Sequence, residues 1–169
     1  GGPELWGGSF RSQVGGHIEE ANGDCGWGFR GDWRDPCGGA CSGRFAYSDD
    51  SCDERCVVAE GIYWAVTSAL GGAFTHAMAE EARHEWLMAT PAGAPVLPLS
   101  GCPNKRSLAG GAPALHRMVT ERTGEGSRWL PSVMPDGAYR GPAAVFRLVP
   151  PNNASRRLGG GVIRRGAEG

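Results

Sequence analysis

One long apolar run stands out from the hydrophobic and polar pattern of this chain. It covers residues 56–72, CVVAEGIYWAVTSALGG, and Glu60 is the one charged residue within it. Ser51 and Glu54 precede the run as a capping box, and two glycines end it. Such features mark the beginning and the end of an α-helix. The pattern therefore predicts a helix that runs from about residue 51 to about residue 70.

Two further helices are predicted downstream of this run. Residues of about 73–90, AFTHAMAEEARHEWLMAT, space their apolar side chains as a helix does and stop before Pro91, which disfavours helix in the preceding residue. Residues of about 112–122, APALHRMVTER, predict a shorter helix. We expect a helical core over 51–140, followed by an extended or disordered tail over 141–169.

The first fifty residues show no sustained helical periodicity. They are rich in Gly, Cys and Trp and carry turn residues every few positions, so 1–50 predict loops and short strands. The whole chain has 29 Gly and 12 Pro among 169 residues, which approaches the composition of long irregular segments. The predicted fold class is mainly α, with two to three helices, extensive irregular loops and a disulfide-stapled, Gly-rich N-terminal segment.

The cysteines form an even set, and five of the six lie within one short polar segment. Such a segment buries too little apolar surface to order itself, so cross-links are expected to hold it. We predict up to three disulfides and an extracellular or secreted location, with the connectivity left open. A zinc site is the alternative for CGGAC and SCDERC, although their spacing is poor for structural zinc. The cysteines are Cys25, Cys37, Cys41, Cys52, Cys56 and Cys102.

Charge and hydropathy limit the classes of partner. Lys and Arg total 17 against 18 Asp and Glu, so the net charge is −1, which argues against a nucleic-acid binder. No apolar stretch reaches the about eighteen residues that a membrane-spanning helix needs. The expected partner is therefore a peptide or another extracellular ligand, with no nucleic acid and no membrane span.

A single carboxylate inside an apolar helix raises the question of what it faces. Burial of a carboxylate is costly unless another group pairs with it. On a helix, Glu60 shares a face with Val57, Tyr63 and Trp64. Gly61 beside it weakens the helix by about 1 kcal/mol relative to Ala, which makes sense if another backbone or a ligand approaches closely there. Glu60 is therefore the first candidate for a functional residue.

The stretch VVAEGIYWA resembles an element of the zincin-like metallopeptidases of the lethal-factor type, and APALHRMVTE is weakly similar to the helix that follows it. In that family, a Glu on a helix downstream of the HExxH helix supplies the third zinc ligand. The resemblance implies that Glu60 is a zinc-binding carboxylate and that Tyr63 lies near the site. It covers about residues 56–140.

The chain departs from this family at the two zinc-binding histidines. A catalytic zinc site of the class needs two His one helical turn apart in HExxH. Here GGHIEEAN has no second His after His17, and HEWLM has Met88 in that place. The resemblance therefore implies the downstream part of a metallopeptidase-type domain, truncated or inactive as given, with no catalytic residue assigned.

A second metal-binding pattern lies in the predicted helix over 73–90. His76 and His84 would share one helix face, and Glu81 with His84 has the Glu-x-x-His spacing of di-iron bundles. His76, His84 and Glu60 are the candidate metal ligands, and zinc is the cofactor they suggest. An amphipathic helix with ion pairs along its polar face explains the same residues without a metal.

The Trp-rich segment offers an alternative function. CGWGFRGDW places Trp27 and Trp33 in a cysteine-rich loop, as carbohydrate- and protein-binding modules do. Tyr63 is a third candidate binding residue. The alternative is thus a small cystine-rich secreted binding module without enzyme activity. Burial of both tryptophans in a small core would count against it.

Overall fold

The structure, a computed structural model, describes residues 2–120. This range contains six α-helices and one 3-10 turn, and none of its residues belongs to a β-strand longer than a single bridge. The mainly α fold with long irregular connections is confirmed, although the helices outnumber the two or three predicted. They are α1 (Pro3–Trp6), α2 (Gln13–Asn22), α3 (Glu54–Ala69), α4 (His76–Glu81), α5 (Leu108–Gly111) and α6 (Pro113–Thr120), with the 3-10 turn at Gly28–Arg30.

The longest helix, α3, confirms the first helix prediction but begins later than expected. Its N-cap is Asp53, whose carboxylate accepts a hydrogen bond from the Cys56 N–H at 3.0 Å. Ser51, the predicted cap, donates its hydroxyl to Asp49 at 2.6 Å instead. At the other end, Gly71 adopts the left-handed conformation with φ of 79°, as expected of the glycine that terminates a helix.

The prediction of a helix over 73–90 is wrong outside α4. Residues 86–90 are non-helical, and all five are buried. Trp86 faces Phe45 in an antiparallel bridge, and backbone hydrogen bonds of 2.8 and 2.9 Å join the residues on either side. Five consecutive buried residues cannot lie on one face of a surface helix. Here tertiary burial overrides a strong local helix propensity.

The segment predicted to be loops and short strands contains a helix of ten residues, α2. Ser12 caps it, accepting a hydrogen bond from the Gly15 N–H at 3.1 Å, and Val14 and Ile18 are buried on its inner face. This face packs against α3 and α6. The prediction of an irregular segment over 1–50 is therefore wrong for α2, because burial against α3 stabilises a helix in this glycine-containing stretch.

The third predicted helix is found as α6, with Leu115, Met118 and Val119 buried on one face against α3. The described residues end at Thr120. They do not include the last two residues predicted for this helix, the end of the predicted core or the predicted tail over 141–169. No helix within 2–120 combines the length and the hydropathy that crossing a bilayer requires.

A continuous row of aromatic side chains forms the centre of the fold. Trp86 stands in the middle of the row, fully buried, and its indole N–H donates to the Ser68 hydroxyl at 3.0 Å. The row passes through Phe10, Trp27, Phe45, Trp86, Trp64 and Tyr63, with neighbouring ring centroids 5.2 to 6.4 Å apart. These contacts join α3 and the bridged segments to Phe10 and Trp27, which lie before and after α2 in the chain.

Three disulfides pair all six cysteines, which confirms the disulfide prediction. The pairs are Cys25–Cys41, Cys37–Cys102 and Cys52–Cys56, and no cysteine is free. Cysteine binds zinc as a thiolate, so the alternative of a zinc site at these cysteines is wrong for the paired form. Cys37–Cys102 spans 65 residues and ties the N-terminal segment to the loop after α4. Three disulfides are compatible with an extracellular location.

Candidate functional site

Glu60 lies in the middle of α3 and is partly exposed. Burial raises the pKa of Glu85, and the negative charges of Glu60 and then Asp49 raise it further. Burial also raises the pKa of Tyr47, followed by the charges of Glu60, Glu85 and Asp49. The charge of Glu60 therefore acts on two other acidic groups, Glu85 and Tyr47. We call Tyr47, Asp49, Glu60 and Glu85 the acidic cluster.

The bridge between Phe45 and Trp86 positions two members of the acidic cluster. The Ala46 N–H donates to the Glu85 carbonyl at 2.8 Å, so the segment that carries Tyr47 runs beside the segment that carries Glu85. The sequence analysis did not pair these two segments. It placed Glu85 on the polar face of a predicted helix, and no feature of the sequence identified Tyr47.

Gly61 allows α3 to approach these segments closely. A Cβ at this position would lie 2.8 Å from Ile18 Cδ1 and 3.0 Å from Phe45 Cε1, both of which belong to fully buried side chains. A close approach therefore occurs beside Glu60, but it is made by core side chains, whereas the sequence suggested another backbone or a ligand.

No cation of the described chain neutralises the acidic cluster. Within residues 2–120, neither Glu60 nor Glu85 forms an ion pair within 4.0 Å. His84 does act on Glu85, lowering its pKa against the larger effects that raise it. Asp49, Glu60 and Glu85 are therefore three carboxyl groups of the cluster without an ion pair among residues 2–120.

The predicted metal ligands do not come together. His76 lies 3.6 Å from the carboxylate of Glu80 on α4, whereas His84 lies beyond the end of α4 with its Nδ1 2.8 Å from the Asp35 carboxylate. In the part of the chain that the structure describes, no group of three ligand atoms within 4.8 Å contains Glu60, His76 or His84. The residues present do not complete a catalytic zinc site, because Glu60 lacks the two histidines that such a site requires.

Two other candidate metal groups fail for separate reasons. Glu81 is the last residue of α4, so the Glu-x-x-His spacing to His84 does not place both side chains on one helix face. Asp24, Cys25 and Cys41 do bring three ligand atoms within 4.8 Å of one another. The two sulfurs form a disulfide, however, and are not available as thiolate ligands.

The aromatic residues predicted to bind a ligand have different environments. Trp27 is 1 % exposed and belongs to the core, so its assignment as a binding residue is corrected. Trp33 is half-buried and packs against Cys25 and Cys41. Tyr63 is 53 % exposed at the end of the aromatic row. Trp27 and Trp33 therefore do not form a joint exposed platform, because Trp27 fills the core between Phe10 and Phe45.

A polar pocket of about 580 Å³ lies beside the C-terminal half of α2. Four of its six charged side chains are paired with one another. Arg30 lies 3.7 Å from Glu19, and Arg34 lies 3.6 Å from Asp24. Asp32 accepts a hydrogen bond from the Trp27 N–H at 2.9 Å. These contacts explain the polar lining as part of the disulfide-stapled loop.

The chain matches no protein-family model, no curated protein and no solved structure. The functional assignment therefore depends on the residues themselves. Among the candidate sites, the acidic cluster is the one that contains Glu60, the residue singled out by the sequence.

Replacing Glu85 by Gln is expected to stabilise the protein at pH 7. The raised pKa of Glu85 means that the folded state holds this proton to higher pH than the unfolded chain does. The stability that this bound proton contributes is complete below the pKa of Glu in the unfolded chain. It is lost as pH rises through the pKa of Glu85 in the folded state. Glu85→Gln should therefore raise the free energy of unfolding at pH 7, by at most about 1 kcal/mol.

Urea denaturation at pH 7 and at about pH 3.5, below the ordinary Glu pKa, measures this effect. The matched control is Glu81→Gln, which removes an exposed carboxylate from α4. Equal stabilisation by Glu85→Gln at both pH values, or the same gain in Glu81→Gln, would contradict the expected role of burial and of Glu60.

Proposed function

We propose that this chain is the downstream part of a secreted, zincin-like metallopeptidase-type domain that is inactive by itself, and that Glu60 is its metal-facing carboxylate. The observation that carries the proposal is the environment of Glu60. This side chain lies in the middle of an apolar helix, its charge raises the pKa of Tyr47 and of Glu85, and it forms no ion pair among residues 2–120. A divalent cation would offset the repulsion that raises the pKa of Glu85.

The resemblance of VVAEGIYWA to the zincin-like element supports the same reading, because that stretch forms a continuous helix with Glu60 at its centre. The APALHRMVTE stretch, similar to the next element of the family, contributes α6, which packs directly on α3. The three disulfides support the extracellular part of the proposal.

The proposal assigns no histidine of this chain as a ligand of the zinc. The four histidines of the chain, His17, His76, His84 and His116, all lie within the described residues, and none joins Glu60 in a metal-ligand group. A complete zinc site would therefore need histidines that this sequence does not contain. The role proposed for the present chain is to hold Glu60 on a helix anchored in the core.

A zinc titration by calorimetry tests the proposal. We expect wild-type chain to bind zinc weakly, since carboxylates alone are the ligands, and Glu60→Gln to weaken that binding at least tenfold. Glu81→Gln serves as the control, because it removes a carboxylate of equal charge from an exposed position outside the acidic cluster. Zinc binding of equal strength in wild type and Glu60→Gln, or no binding in either, would overturn the proposal.

The alternative is a cystine-stapled secreted binding module without enzyme activity. The disulfides and the exposure of Tyr63 favour it, whereas the burial of Trp27 removes its original support. The zinc titration separates the two functions, because a module of this kind requires no metal and no carboxylate at Glu60.

A further inference from the structure

The disulfide between Cys52 and Cys56 differs from the other two disulfides in its access to solvent. The four cysteines of the other two disulfides are all buried, with at most 7 % of their surface exposed. Cys52 is buried as well, at 3 %. Cys56 is half-buried, and it is the one cysteine of the chain outside the buried set. An external reagent therefore reaches this disulfide from the side of Cys56.

The position of Cys56 on α3 explains this exposure. Helical spacing places Cys56 on the same face as Ala59 and Tyr63. Ala59 is exposed, and Tyr63 is 53 % exposed, so this face of α3 points to solvent. The two residues after Cys56, Val57 and Val58, are at most 1 % exposed and belong to the core. Cys56 therefore lies on the solvent side of a helix that is anchored in the core.

The N-terminus of α3 is held by contacts that do not involve the disulfide. The Asp53 carboxylate accepts a hydrogen bond from the Cys56 N–H at 3.0 Å. The Glu54 carboxylate accepts one from the Phe10 N–H at 2.7 Å. The disulfide itself spans only 4 residues, so it restricts the unfolded chain less than the other two do. Opening this disulfide is therefore compatible with a folded α3.

We propose that Cys52–Cys56 is a site of thiol–disulfide exchange, which reacts with an external thiol while the chain stays folded. Accessible disulfides are the labile, regulatory or catalytic ones, whereas structural disulfides resist reduction. The buried pairs Cys25–Cys41 and Cys37–Cys102 have the structural role. The exchange site uses neither Glu60 nor zinc, so it stands independently of the function proposed above.

The exchange proceeds through a mixed disulfide. The thiolate of the partner attacks the Cys56 Sγ, the S–S bond breaks, and Cys52 leaves with the bonding electron pair and takes a proton from water. A second thiolate of the partner then displaces the Cys56 sulfur, which is protonated in the same way. The partner is thereby oxidised to a disulfide, and the protein is left with the thiols of Cys52 and Cys56.

Reduction of the full chain by dithiothreitol, followed by alkylation of the thiols and mass spectrometry of the peptides, tests the site. In the folded chain, Cys52 and Cys56 should be alkylated at least about tenfold faster than the other four cysteines, because access limits the attack. In urea all three pairs should react at similar rates. Equal rates in the folded chain, or faster reaction of another pair, would overturn the proposal.

Two further measurements separate exchange from unfolding. The helical far-UV circular dichroism should persist once Cys52 and Cys56 are reduced, and its loss at that stage would contradict the proposal. The double variant Cys52→Ser, Cys56→Ser should fold and show only the slow reaction of the buried pairs. Glu60→Gln should react at the wild-type rate, so a failed zinc titration leaves this test unaffected.

Two thiols distinguish the possible sources of the partner. One arm uses a mixture of reduced and oxidised glutathione, and the other uses a reduced peptide with two cysteines. Equilibration of Cys52–Cys56 with glutathione would identify a small-molecule thiol as sufficient. Reaction with the peptide alone would identify a protein thiol. Reaction with neither would overturn the proposal.

Discussion

Loss of the Cys37–Cys102 disulfide is expected to lower the free energy of unfolding by about 4 kcal/mol. This bond spans 65 residues, so it restricts the unfolded chain more than the other two disulfides do. Its sulfurs are buried, and it is the covalent connection between the first fifty residues and the loop after α4. Because domains of this size are stable by only about 5–15 kcal/mol, the loss should be large.

Urea denaturation of the double variant Cys37→Ser, Cys102→Ser against wild type measures this loss. The matched control is Cys52→Ser, Cys56→Ser, because that disulfide spans only 4 residues. The same entropic relation predicts a loss of about 2 kcal/mol for the control. Equal losses in the two double variants would contradict the argument from loop length.

Gly61→Ala is expected to lower the free energy of unfolding by up to about 2 kcal/mol, although alanine is the better helix former. In a free helix the change would stabilise by about 1 kcal/mol. Here the new methyl group would lie 2.8 Å from Ile18 Cδ1 and 3.0 Å from Phe45 Cε1. Overpacking of a core costs about 1–3 kcal/mol, which outweighs the gain in helix propensity.

Ala59→Gly provides the control for this prediction, because Ala59 is exposed on the same helix. It should lose about 1 kcal/mol through helix propensity alone. Urea denaturation of both variants against wild type separates packing from propensity. A gain in stability for Gly61→Ala would mean that α3 does not pack on Ile18 and Phe45, and the placement of Glu60 beside Tyr47 would then be wrong as well.

The sequence identified α3 and Glu60 but not the neighbours of Glu60. The capping residues before the helix and the glycines after it act on adjacent residues, so their effect can be predicted without knowing the fold. Tyr47 and Glu85 reach Glu60 only because Phe45 pairs with Trp86. That pairing depends on which apolar segments are buried together, and periodicity along a single segment does not contain this information.

The same reason explains the error over 73–90 and the missed helix α2. Residues 86–90 have good helix propensity but are used as a buried segment between two others. The stretch that forms α2 contains Gly15 and Gly16, which indicate a loop, yet Val14 and Ile18 are buried against α3. In both places the free energy of burial exceeds the preference of the local sequence.

By itself, the sequence determined the mainly α class, the extent of α3 to within three residues, and the presence of disulfides. These follow from propensity, capping and an even number of cysteines, all of which are local or compositional properties. The tertiary structure alone decided the cysteine pairs, the burial of Trp27 and the pairing of Phe45 with Trp86. Each of these joins residues distant in sequence, and burial of apolar surface selects such contacts over the whole chain.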